Sequence, residues 1–151
     1  AGIGGLAYAG IPVTHREVNH AVTFLTGHDS SGVVPDRINW EGIAKGSPVI
    51  VMYMAMKHIG QITANLMAAG RAPEEPVAFV CNAATAEQMV LETSLARAEA
   101  DMAAAGIEPP AIVVVGEVVR LRASLDWLGA LTTGRRLAPD PFGASALKDP
   151  A

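Results

Sequence analysis

The side chains best able to do chemistry are concentrated in residues 7–28, AYAGIPVTHREVNHAVTFLTGH. Thr14, His15 and Arg16 stand together there, and His20 and His28 follow. The guanidinium of Arg16 is a planar fork of donors that suits a carboxylate or a phosphate. Gly10 and Pro12 lie just ahead of the trio. Glycine admits a positive φ and proline holds φ at about −65°, so the pair can set a turn that aims the polar side chains in one direction. Such a group suggests a site for an anionic ligand. An arginine in a turn is also the ordinary form of a solvated surface charge, and residue type alone leaves both readings open. The three histidines invite a metal reading. Their spacings of five and eight residues make no helical i, i+4 pair and no zinc signature, and the single Cys81 is far away, so no metal is expected.

Apolar elements must position this loop. Residues 1–10 read as a short helix weakened by Gly4 and Gly5, and residues 18–26 as a strand with Val22, Phe24 and His20 on one face. Residues 28–37, HDSSGVVPDR, read as a mobile loop and a candidate lid. Residues 38–44 form a short helix with Asn39 as N-cap. PVIVMYM at 48–54 is unbroken and apolar, the pattern of a central parallel strand covered on both faces. Residues 56–69 carry Ile59, Ile62 and Leu66 at helical spacing, and Gly70 stops that helix. Residues 76–82 are the next buried strand, which completes a βαβ unit with a right-handed crossover. Residues 88–94 alternate well enough to be a strand and could equally begin the helix over 95–105. Residues 111–119 are the last core strand, and 120–128 a short helical end with Trp127 packed. Residues 132–151 read as a tail, ordered only under another subunit or domain.

Composition narrows the classes. At 151 residues, half of them apolar, the chain can build a single globular core. A net charge of −4 without any Lys/Arg run argues against a nucleic-acid partner. No apolar stretch approaches about 20 residues, so no membrane span is expected. One cysteine among apolar neighbours cannot form an internal disulfide and is compatible with a reducing cytosol.

AGIPVTHR, followed by TGH, resembles the uroporphyrinogen-III methylating branch of the tetrapyrrole (precorrin) methylase family. PVIVMYMAMKHIGQI, PVAFVCNAAT, PPAIVVVGEVVRLR and LDWL continue the resemblance in the same order as far as residue 131. It implies an α/β fold: the C-terminal domain of the methylase, over residues 1–131, with a mixed sheet of about five strands and helices on both faces. By the same resemblance the chain is a C-terminal half, and the N-terminal donor-loop domain is missing from it.

The implied activity is S-adenosyl-L-methionine-dependent C-methylation of uroporphyrinogen III at C2 and C7. The product is precorrin-2, on the way to sirohaem and cobalamin. The alternatives are a later precorrin C-methyltransferase and a truncated, non-catalytic binding or dimerisation domain. The resemblance places Ala1, Met54, Ala83 and Ala111 at the methyl donor. It places Thr14, His15, Arg16, His28 and Met54 at the tetrapyrrole, with Arg16 catalytic. It also implies a homodimer in the cytoplasm. Judged by residue type alone, Met54 reads more readily as core filler than as a ligand contact.

Overall fold

A computed structural model describes residues 1–28 and 32–143 of the chain. Unbroken apolar strands need cover on both faces, and here they form the middle of one sheet. The strands are β1 (Thr23–Thr26), β2 (Ile50–Tyr53), β3 (Pro76–Cys81), β4 (Met89–Ser94) and β5 (Ala111–Val115), in the order β1-β2-β5-β3-β4. β1 and β2 are parallel, and β5 runs antiparallel to both β2 and β3. β1, β2 and β3 therefore point the same way, and their carboxyl ends share an edge with the start of β5. Cys81 sits opposite Ala111 in the register.

Side chains alternate across this sheet with period two. Ile50, Met52, Val77, Phe79, Val113 and Val115 face α2 (Trp40–Gly46), α3 (Ile59–Ala68) and α4 (Ala98–Ala104). Val49, Val51, Ala78, Val80, Ile112 and Val114 face Leu6 of α1 (Gly2–Tyr8) and the segment carrying Val118, Val119 and Leu121. Phe79, Leu66 and Leu6 are fully buried, each contributing about 1.5–3 kcal/mol. This is the expected mixed five-stranded sheet with helices on both faces.

Several expected boundaries move. The strand foreseen over 18–26 shrinks to β1, because Asn19 closes a tight loop ahead of it: its side chain donates to the Val13 and Ala21 carbonyls at 2.8 and 3.0 Å and accepts from the His15 amide at 3.0 Å. Being at the sheet edge, β1 leaves Phe24 44% exposed, stacked on Tyr53. PVIVMYM is central but not flanked by parallel strands on both sides, since antiparallel β5 separates β2 from β3. The helix expected over 56–69 begins as a 3-10 turn, Met56–His58, and that over 95–105 begins only at Ala98. The last strand stops at Val115, where Gly116 takes φ 140° and the chain turns into a 3-10 segment, Glu117–Leu121. Asn39 caps α2 as expected, accepting from the Gly42 amide at 2.9 Å. Of the candidate lid, residues 29–31 lie outside the described residues.

The carboxyl-terminal part carries the expected short helical end, extended beyond residue 128. After α5 (Arg122–Leu125), α6 (Trp127–Thr133) takes Asp126 as its cap. Trp127 is 44% exposed, against the ring of Tyr8. The described part of the tail, residues 134–143, makes contacts with its own chain. Ala138 donates to the Ala123 carbonyl at 2.9 Å, Ser124 to that of Pro139 at 2.6 Å, and Phe142 packs on the core and on His15.

Candidate functional site

Ligands of open α/β sheets bind beyond the carboxyl ends of strands. A cavity of about 550 Å³ opens at that edge here, a size suited to a small organic ligand. Ala1 at the head of α1, His28 after β1, Met54 after β2, Ala83 after β3 and Ala111 opening β5 all line it. These five positions, up to 110 residues apart in sequence, converge because the three parallel strands end together and β5 starts beside them.

The walls rest on close backbone approaches. A Cβ on Gly27 would meet the Met54 carbonyl oxygen at 2.7 Å and the Ala55 nitrogen at 2.8 Å. A Cβ on Gly5 would meet Ile112 and Ala83 at 2.8 and 2.9 Å. The Tyr53 hydroxyl accepts from the Gly2 amide at 2.7 Å and pins α1 over the rim. Met54, Asn82 and Ala84 take φ of 52°, 46° and 64°, all on the strand-end turns of the cavity. Such backbone costs of order 1–3 kcal/mol each and gathers at functional sites. The loop after β3 is closed by Thr85 Oγ1 donating to the Asn82 carbonyl at 2.8 Å and by Gln88 accepting from the Ala84 amide at 2.8 Å.

Met54 is 52% exposed and stands in the cavity, so the core-filler reading of it does not hold. Sequence reasoning missed Tyr53, Lys57, Asn82 and Thr85, which supply the polar groups, and Pro109, Pro110 and Ile112, which supply apolar wall. Only neighbourhood in the chain to Met54, Ala83 and Ala111 could have flagged them.

Thr14, His15 and Arg16 do not line this cavity. They precede the amino end of β1, whereas the cavity lies past its carboxyl end. The Gly10 turn forms as expected, with φ 73°, and a Cβ there would collide with the backbone of Leu125 and Asp126. Asp126 is buried and paired with Arg122 and Arg135, so the turn is held against a rigid cap. His15 faces Asp140 at 3.5 Å and accepts from the Glu17 amide through Nδ1 at 3.3 Å. Arg16 is exposed and makes no ion pair among the described residues. His28 lies edge-on to His58, whose Nε2 contacts the Gly32 carbonyl at 2.8 Å.

Among the described residues no group of three His, Cys, Asp or Glu is placed to hold a metal ion, and no helix is long and apolar enough to cross a membrane. Cys81 ends β3 in the interior, and burial pushes its thiol pKa up, which keeps it protonated and unreactive. The lining contains no Asp or Glu, and most of it is apolar. Apolar walls at such a surface can take a flat or apolar ligand group, and Asn82 brings a polar side chain to it.

Fold and cavity together define an α/β domain with a ligand-sized cavity at its strand ends. The profile of the Tetrapyrrole (Corrin/Porphyrin) Methylases matches residues 1–99, and the chain belongs to that family. It is 83% identical over all its 151 residues to a uroporphyrinogen-III C-methyltransferase of Sinorhizobium sp, of which it covers 54%. It is 38% identical over 84% of its length to a siroheme synthase of Methylococcus capsulatus, covering 27% of that protein. The uroporphyrin-III C-methyl transferase of Thermus thermophilus complexed with S-adenyl homocysteine superposes with a TM-score of 0.63 at 32% identity, over 78% of this chain and 50% of that one. The chain thus spans about half the length of its uroporphyrinogen-III C-methyltransferase relative. The narrower expectation, that it is the C-terminal half, is not upheld, and family membership does not depend on it.

Proposed function

We propose that this chain supplies one wall of the S-adenosyl-L-methionine site of an enzyme that C-methylates uroporphyrinogen III at C2 and C7 to give precorrin-2. The observation that carries the reading is the convergence of Ala1, Met54, Ala83 and Ala111 on one cavity in a chain of this family. The three alanines have small side chains that let a ligand approach closely, and Met54 offers a polarisable surface to a sulfur-bearing chain. The donor, when bound, supplies an electrophilic methyl group on a sulfonium.

The chain's own residues then align the reactants, and good alignment is worth on the order of 7–11 kcal/mol. Arg16 takes the catalytic role at the acceptor. Its exposed guanidinium, without an ion pair among the described residues, is available to one of the eight acceptor carboxylates. We assign His28, in the cavity lining, and Thr14 and His15, ahead of β1, to different parts of the acceptor. The remaining length of the relatives supplies the rest of the pocket. We place the protein in the cytoplasm, with its buried thiol reduced, as a homodimer.

The test uses a chimera, the Sinorhizobium relative with this chain in place of its matching residues. Isothermal titration with S-adenosylhomocysteine and a methyl-transfer assay on uroporphyrinogen III should both give signals, and Arg16→Lys should lower turnover while leaving S-adenosylhomocysteine affinity unchanged. Transfer to a later precorrin but not to uroporphyrinogen III would overturn the acceptor. Binding without any transfer would leave only a binding domain.

A further inference from the structure

We propose that Lys57 is a specificity-determining residue of the cavity, which grips one carboxylate of the tetrapyrrole acceptor. The inference rests on the methyl-transfer reading above. In a chain of net charge −4 the cavity lining has no acidic side chain, and Lys57 is its one Lys or Arg. Most cations among the described residues are committed elsewhere: Lys45 to Glu41, Arg71 to Glu75, Arg97 to Asp101, Arg120 to Glu117, and Arg122 and Arg135 to Asp126. Lys57 has no ion pair among them and is exposed.

Its backbone is anchored. Lys57 sits in the 3-10 turn that follows Met54, and on one side Ala55 lies against Gly27 too closely to admit a side chain there. On the other side His58 is held by the Gly32 carbonyl at 2.8 Å. A flexible ammonium on a fixed turn at the rim of an apolar cavity can reach across to an anion at the mouth. The ligand group is a carboxylate, and the acceptor or the amino-acid end of the donor could present it. The donor carries a sulfonium, which a neighbouring ammonium repels, so the acceptor is favoured.

The experiment compares the unsubstituted chimera with its Lys57→Met and Lys57→Arg forms. A charge-assisted hydrogen bond to a carboxylate predicts a KM for uroporphyrinogen III about tenfold higher in Lys57→Met. Turnover and the Kd for S-adenosylhomocysteine should hold, and Lys57→Arg should restore most of the loss. Fluorescence titration with uroporphyrin III, an eight-carboxylate probe that needs no turnover, should weaken by a similar factor. Unchanged porphyrin affinity in Lys57→Met overturns the assignment, as does a loss confined to S-adenosylhomocysteine. An unsubstituted chimera that binds the porphyrin through Lys57 but transfers no methyl group would sink the reading of function and leave the lysine's role standing.

Discussion

Gly27→Ala tests whether the cavity wall depends on backbone packed against backbone. Gly27 follows the last residue of β1, and its amide donates to the Tyr53 carbonyl at 2.7 Å. An added Cβ would lie 2.7 Å from the Met54 oxygen and 2.8 Å from the Ala55 nitrogen, and nearer still to Ala55 Cα. Non-bonded carbon atoms rest at about 3.5–4.0 Å, so the two strands must part by roughly 1 Å. No rotamer change relieves the clash, because every neighbour is backbone. Overpacking of this kind costs about 1–3 kcal/mol. The movement falls on Met54, whose φ of 52° already holds it in strained backbone. A displacement of about 1 Å in a positioning element can cost on the order of 10²-fold in rate. In the chimera, the urea midpoint should fall, S-adenosylhomocysteine affinity should drop at least tenfold, and turnover should fall further. Gly4→Ala is the control: Gly4 lies within α1 with no atom within 4 Å of an added Cβ, so it should gain up to about 1 kcal/mol. A Gly27→Ala protein with unchanged midpoint and affinity would refute the reasoning.

Asn39→Ala removes the cap of α2 and should cost about 1 kcal/mol in denaturant titration without touching ligand affinity. Phe142→Ala frees the tail from His15 and the core, and should cost about 1 kcal/mol and shift the His15 ring resonances in NMR. Asp101 is held below its ordinary pKa first by the Thr93 hydroxyl at 2.5 Å and then by Arg97 at 3.0 Å. Its unfolded form binds a proton more readily, so its stabilising contribution is full above the unfolded pKa and is lost as pH falls through the folded one. Asp101→Asn should therefore flatten the acid limb of a stability–pH profile, and an unchanged limb would contradict this. Glu75 acts with the opposite sign, since burial raises its pKa against the pull of Arg71. Its contribution is greatest at low pH and declines as pH rises through the folded value.

The chain of residue types by itself determined the sheet's middle. PVIVMYM, PVAFVC and AIVVV are apolar at every step, which requires cover on both faces, and Ile59, Ile62 and Leu66 mark the helix that supplies part of it. Gly10 and Asn39 were also legible, because a positive φ and an open helix start each call for particular residues. Motif resemblance named Ala1, Ala83 and Ala111, which no argument from chemistry would have chosen, as alanines have no functional group, and Met54, which residue type alone reads as core filler. Tertiary structure alone decided that these four share a cavity with His28 and that Lys57 stands beside them, while Thr14, His15 and Arg16 do not line it. Strand order decided that, and strand order depends on pairing between distant segments, such as β5 inserting between β2 and β3, which no local pattern records. The strained backbone at Met54, Asn82 and Ala84 was invisible for the same reason: its cost is met by packing from elements far away in the chain.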